Sequence, residues 1–499
     1  MRPSGPPTDE IPIWTAPDGV DRDTARAVID LAMRAGVAML ATGAAAADVT
    51  ATVLMLTRAY GLSSVHVDVT YTSVTVSYHR GPHADPITVM RIVRFRVQDY
   101  TRLERLRGLI VELTTEPLEV GEARVRFDSV ITAPHRYRRW LVTVAGGALA
   151  AGAAGLVGAG PFIIVLSFLT ACLVGRVLTW LGGVGVAAFF AQCIGAGIPT
   201  VVATLVVAAQ SWVPSWGSFL GAVSPSLVVA SGIVLLLSGL SIVGAAEDAL
   251  EGYYVTAAAR TFEVIVLSLG IAVGISFVLA IGQRLGYPIA ISTQTRLSDD
   301  VAVQVGCAVV ISVAFAVTAY SSGRAVALAG VFGALGWVVL AGAERVDFGA
   351  VAASSSAALA IGLVARPVAR TVNVSGLAVT TAAIVPLLPG RLAYEGISQI
   401  VTNPDGNGLA LGLPILLQAF GVGLGLAAGV SLGTYFSGLI FATRRGVRPR
   451  AAGGATLPAD PGRRAASANP PVLSDTGEAP AVRTTGARAD GSGDAAPRA

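Results

Sequence analysis

The chain contains no lysine, so apart from four histidines all its basic charge is arginine. This is a bias of composition and carries no chemistry of its own. Charge of either sign is scarce, 13% of 499 residues, where soluble domains carry about 25%. With 53% hydrophobic residues and a mean hydropathy of +0.68, that scarcity excludes an ordinary soluble protein. Cysteine is nearly absent. Cys172, Cys193 and Cys307 all fall in apolar segments without CxxC spacing, which excludes a disulfide framework and a cysteine metal site and leaves buried free thiols. No basic cluster is interleaved with aromatics, so nothing points to nucleic acid. A G-x-S-x-G elbow, a P-loop and a dinucleotide fingerprint are all missing.

What the chain does have is apolar segments of membrane-spanning length, recurring from Trp140 to Phe441. Abundant Gly and Ala with few aromatics suit close helix–helix approach in a bundle. Ahead of them, residues 1–19 are polar and Pro-rich without an apolar h-region, hence a disordered tail and not a signal peptide. Residues 20–135 have the composition of a soluble domain. Asp21 or Asp23 can cap a helix whose apolar positions are Val28, Leu31, Met33, Ala35 and Leu40, and a second helix from Ala46 stops at Gly61. The period then becomes two: Val65, Val67 and Val69 predict one strand, Val74 and Val76 its hairpin partner, and ITVMRIVRF a third. An amphipathic helix follows from Asp99. His79, His83 and Asp85 are conceivable zinc ligands, but their HRGPHADP context is a turn, and the bland reading is preferred.

Spans of about 20 residues fall at 140–160, 161–177, 182–207, 226–246, 261–282, 301–320, 325–343, 347–365, 371–390 and 410–441. With the N-terminal domain inside, the inner loops collect Arg136, Arg138, Arg139, Arg176, Arg260, Arg324, Arg366, Arg370 and the arginines from 444 to 450. The outer loops hold only Arg284, Arg296, Arg345 and Arg391. That asymmetry obeys the positive-inside rule and puts both termini in the cytoplasm. Leu236-Leu237-Ser238-Gly239 resembles Leu387-Leu388-Pro389-Gly390, so helices one to five superpose on six to ten. Five is odd, and two such halves insert with opposite orientation, the inverted repeat of many secondary transporters. The expected architecture is thus a polytopic α-helical membrane protein of about ten helices in two five-helix inverted repeats, preceded by a small cytoplasmic α+β domain. The divisions are 1–19 tail, 20–135 α+β domain, 136–285 first half, 286–445 second half and 446–499 disordered tail.

Two stretches carry candidate chemistry. SGLSIVGAAEDALEGYYVTAAARTFE places Glu247, Asp248, Glu251, Arg260 and Glu263 beside apolar spans. Charges there are either interfacial or retained for a pathway. The second is VPLLPG, where Pro386 and Pro389 break a helix or merely end it at the interface. A broken helix frees N–H groups for a carboxylate and carbonyls for an ammonium group. Asn373, Ser375, Thr380, Thr381 and Gln418 are polar lining candidates.

With LAMRAGVAMLATGAAAADVTATVLMLTRAYGLSSVHVDVTYTSVTVS, GAAEDALEGYYVTAAAR and VPLLPGRLAYEGI, the chain resembles the threonine/serine exporter family from about Ala25 to Arg445. Asp248, Gly252 and Arg260 match the family's Asp–Gly–Arg segment; Pro386, Pro389, Gly390 and Tyr394 match its second Pro–Gly motif. Ser238-Gly239 departs from the Pro–Gly often found in the first half. The resemblance implies export of L-threonine and L-serine across the plasma membrane, driven by the proton-motive force, in a protein that is not an enzyme. The implied partners are a small amino acid, protons and the bilayer, with no metal or cofactor, and a homo-oligomer is possible. Asp248, Glu251 and Glu395 are the candidate protonatable groups. Two alternatives stand beside this: export of a dicarboxylate such as succinate, with Arg260 or Arg391 as partners, and a membrane-anchored enzyme or sensor acting through its N-terminal domain.

Overall fold

A computed structural model describes residues 20–79, 85–93, 97–212, 225–234, 236, 239–287, 297–402 and 407–443. His83, Ser238, Arg296, the arginines beyond Thr443 and both expected tails lie outside these residues.

Helix α1 (Arg22–Ala41) starts where Asp21 accepts a hydrogen bond from the Asp23 N–H, satisfying one orphan donor of the first turn. The five apolar positions read from its sequence are all buried. Helix α2 (Ala46–Ala59) stops at Gly61, whose φ of 84° lets Gly61 and Leu62 N–H close onto Arg58 and Thr57 carbonyls. Strands β1 (Val65–Thr70), β2 (Ser73–Tyr78) and β3 (Ile87–Ile92) form an antiparallel meander, with Val67 opposite Val76 and Val69 opposite Val74. Asp99 caps α3 (Tyr100–Thr115). Helix α4 (Val120–Thr132) was not evident in the pattern, because it buries only Ala123 and Phe127.

The membrane portion follows as α5 (Arg139–Leu156), α6 (Pro161–Val184), α7 (Ala188–Trp212), α8 (Pro225–Val234), α9 (Gly239–Leu250) and α10 (Tyr254–Arg284). After it come α11 (Val301–Thr318), α12 (Gly323–Arg345), α13 (Ala350–Thr371), α14 (Gly376–Ile384), a 3₁₀ turn (Val385–Leu387), α15 (Gly390–Thr402) and α16 (Asn407–Thr443). Among the described residues, 8 helices are long and apolar enough to cross a membrane. The pair Gly376–Leu387 and Gly390–Val401, bent by 45°, makes a ninth if counted as one span. The protein is a polytopic helical membrane protein. The expected span at 226–246 falls on two short helices, α8 and α9, instead of one. The expected span at 371–390 does not end at its prolines: it bends and continues as α15, because Pro389 stands just before the first helical residue, Gly390, where its missing N–H interrupts no intrahelical bond. Arg391, assigned to an outer loop, consequently lies in the first turn of α15, and Arg176, assigned to an inner loop, lies within α6.

The same order of elements occurs twice: three long helices, two short ones, then a very long one. The first three start at Arg139, Pro161 and Ala188 in one half and at Val301, Gly323 and Ala350 in the other, a constant offset. The short and long helices keep a smaller offset, because the connection between α7 and α8 is longer than that between α13 and α14. Helices α5 and α11 pack antiparallel, since Ser298, just before α11, bonds the carbonyl of Leu156 at the end of α5 (3.0 Å). Where α13 meets α16, a glycine stripe allows backbone contact: side-chain carbons at Gly429 and Gly433 would strike the carbonyls of Ser355 and Leu359.

The α+β region docks on one end of the bundle. Tyr100 N–H bonds the carbonyl of Ala319 (3.1 Å), Thr101 Oγ1 donates to the carbonyl of Tyr320, and Tyr137 OH donates to that of Ser321 (2.9 Å). His135 stacks on Tyr320 with centroids 4.7 Å apart. The α11–α12 turn therefore marks the near end. Arg345, a 23-residue helix away, marks the far end, about 33 Å distant at 1.5 Å per residue.

Candidate functional site

The two helix breaks meet. Gly239, first residue of α9, packs on Leu388 so closely that a Cβ there would sit 3.2 Å from the Leu388 Cβ. Both breaks open on one cavity of about 510 Å³, within the ~300–1,000 Å³ usual for small-ligand sites. Its lining includes Gly239, Leu240 and Ser241 at the start of α9 and Pro389, Gly390, Arg391 and Leu392 at the start of α15. Two helix N-termini thus face it, and each leaves backbone N–H groups and a positive dipole end for an anion. The C-terminal end of α14 contributes Val385, Pro386 and Leu387. The cavity reaches Gln98 and Thr318 at the near end and Glu344 and Ala350 at the far end, so it extends through much of the bundle. Leu149, Ile311, Phe315, Leu340 and Val422 make most of its wall apolar.

After each break the chain crosses to the other half. Helix α9 lies on α16, with Ile242 filling the gap left by Gly423. Helix α15 lies on α8, where buried Tyr394 OH donates to the Ser226 carbonyl (3.4 Å). Glu395, next to it, pairs with Arg391 across one helical turn (3.3 Å). Trp337, also on the cavity wall, donates its Nε1–H to Gln304 Oε1 (3.0 Å).

The second cluster sits at the near end. Asp248 on α9 is 1% exposed, and its Oδ2 lies 3.2 Å from Nε of Arg260 on α10. A buried pair of this kind loses about 3–5 kcal/mol when one partner is removed, because the other charge remains buried. Gly244, one turn before Asp248, makes room for it: a side-chain carbon there would collide with Nη1 of Arg260. The hairpin between α9 and α10 turns at Gly252, φ 87°, with Gly252 and Tyr253 N–H bonded to the Ala249 and Asp248 carbonyls. Gly252 is thus the left-handed C′ residue that lets Arg260 fold back onto Asp248. Glu251 is exposed in this turn, and partial desolvation of its carboxyl raises its pKa, with Asp48 and Asp248 adding to the effect. Glu263 accepts a hydrogen bond from Tyr71 OH.

The candidates read from the sequence therefore divide. Pro386, Pro389, Gly390 and Tyr394 line the cavity, with Glu395 beside it; Asp248, Glu251, Gly252, Arg260 and Glu263 form the near-end cluster. Asn373 is apart from both, an exposed C′ residue at φ 58° ending α13. Gln418 is exposed on α16, Ser375 caps α14, Thr380 bonds the Gly376 carbonyl, and Thr381 bonds Tyr100. Sequence reading missed Gly244, Trp337, Gln304 and Glu344. A glutamine inside the apolar run VAVQVGCAVV was the available signal for Gln304.

A bundle with paired helix breaks around one long cavity has the architecture of a membrane transport protein. The comparisons give the family. Residues 30–282 match the family described as "Putative threonine/serine exporter", and residues 304–436 match "Threonine/Serine exporter, ThrE". A "Probable threonine/serine exporter" of Mycobacterium tuberculosis (strain ATCC 25618 / H37Rv) is 34% identical over 428 residues, 84% of this chain and 78% of the relative. The "Threonine/serine exporter" of Corynebacterium glutamicum is 30% identical over 438 residues, 87% and 86% of the two chains. The chain belongs to the threonine/serine exporter family. No solved structure matches it.

Proposed function

We propose that this protein exports L-threonine and L-serine across the plasma membrane, binding the amino acid between the two helix breaks. The observation that carries this reading is the meeting of the α9 and α15 N-termini on one cavity. Their N–H groups, aided by Arg391, suit the substrate carboxylate, and the carbonyl end of α14 with its turn at Val385–Leu387 suits its ammonium group. The apolar wall excludes water and strengthens both contacts. Asp248 and Arg260 act as an inner gate, and Asp248, Glu251 and Glu395 are the groups that exchange protons with the proton-motive force.

The repeated order of helices and the antiparallel packing of α5 on α11 support two inverted halves, 136–285 and 286–445, with residues 20–135 as a cytoplasmic domain. The near end, which gathers Arg136, Arg138, Arg139, Arg324 and Arg370, faces the cytoplasm by the positive-inside rule. The deciding experiment is counterflow in proteoliposomes loaded with threonine, serine or succinate. Threonine and serine are expected to drive uptake of labelled threonine while succinate does not. Counterflow of labelled succinate against succinate, with none of labelled threonine, would replace the amino acid with a dicarboxylate.

A further inference from the structure

The α+β region touches α10 on either side of the near-end arginine, through the tip of one hairpin. Strand β1 passes to β2 through the two-residue turn Tyr71-Thr72. Such turns favour Asn-Gly, Asp-Gly or Gly-Gly, whose backbones accept positive φ. Neither residue here is of that kind, so turn chemistry does not account for a tyrosine at the tip. Its contact does: Tyr71 OH donates to the Glu263 carboxylate on α10. Two residues earlier, the Val69 carbonyl on outer strand β1 accepts from Thr256 Oγ1 on the same helix (3.3 Å). Thr256 is 1% exposed, so this bond is made out of water.

Thr256, Arg260 and Glu263 follow one another at i, i+4 and i+7, which places them on a single face of α10. The hairpin therefore holds α10 one turn before and one turn after the arginine that pairs with Asp248. We propose that Tyr71 and Thr256 are positioning residues for Arg260, so that the β1–β2 hairpin sets whether the Asp248–Arg260 pair is closed. The soluble region is thereby a clamp on the inner gate. Movement of the domain shifts α10 against α9 and opens the pair without touching the substrate cavity. This rests on reading that pair as a gate, but its test is separable from the transport assay.

The test uses the full chain in proteoliposomes, with Cys172, Cys193 and Cys307 replaced and nitroxide labels at Leu250 and Phe262, both exposed on α9 and α10. Arg260→Gln is expected to lengthen and broaden the inter-label distance distribution. Tyr71→Phe and Thr256→Val should reproduce that shift, whereas Thr256→Ser, which keeps the hydroxyl, restores the parent distribution. Tyr71→Phe should also lower the maximal threonine export rate about fivefold, the lower end of ordinary coupling between sites, with KM little changed. Parent-like distances in both Tyr71→Phe and Thr256→Val would overturn the clamp, as would an Arg260→Gln variant that leaves the distance unchanged. Absence of threonine counterflow in the parent, with the distance shifts intact, would instead overturn the substrate reading.

Discussion

Asp248 and Arg260 show what burial does to single residues in this protein. Replacing Asp248 by Asn leaves the guanidinium without its anion in a closed site, and is expected to cost about 3–5 kcal/mol of stability. Replacing both, Asp248→Asn with Arg260→Gln, should recover much of that loss; thermal unfolding in detergent of the single and double variants checks it. Gly244→Ala should displace Nη1, the end of a long side chain that can shift, and so cost less stability than Asp248→Asn while lowering export, as the same unfolding and a counterflow assay would show. A pH effect is expected at Glu104 on α3. Burial raises its pKa, against opposing contributions from Arg136 and the Ser375 N–H. The charged form is the disfavoured one in the folded protein, so stability present below the ordinary carboxylate range falls as pH rises through the raised value. Glu104→Gln should therefore match the parent at acid pH and unfold at higher temperature than the parent at neutral pH.

Among elements, the informative ones are the two broken pairs. VPLLPG was legible as a place where a helix stops or breaks, but the direction of the following chain was not. Proline removes a donor and bars one backbone conformation, yet whether the chain leaves the bundle or re-enters it depends on what packs next. Here Tyr394 finds the Ser226 carbonyl and a place in the core of the first half, so α15 runs on through the bundle. The break between α8 and α9 has no proline to mark it, so the stretch read as one span despite its likeness to the second. Pro386→Ala with Pro389→Ala is expected to straighten α14 into α15 and withdraw the α15 N-terminus from the cavity. Counterflow should fall at least tenfold while the protein still elutes as one folded species. Wild-type counterflow in that variant would remove the break from the substrate site.

For the whole molecule, orientation is the testable property. Glu251 lies at the end bearing the α+β region and Glu344 at the opposite one. A cysteine replacing Glu344 should react with an impermeant maleimide added outside cells, and one replacing Glu251 only in inside-out vesicles. The reverse pattern would invert the topology.

By itself the sequence determined the class of protein, the positions of most long helices, the pairing of two valine-rich strands as a hairpin and the stop of α2 at Gly61. These follow from short-range physics: apolar length against bilayer thickness, side-chain period, and backbone groups that need partners within a few residues. The family resemblance also picked out Asp248 and Arg260. Only the tertiary structure decided that these two close on each other over Gly244, that the two breaks share one cavity, and that Tyr71 reaches Glu263. Each of those contacts joins separate elements, so it depends on how helices cross and not on local pattern. An exposed turn glutamate such as Glu251 and a buried, arginine-paired aspartate such as Asp248 look alike in a sequence until packing takes most of the water from one of them.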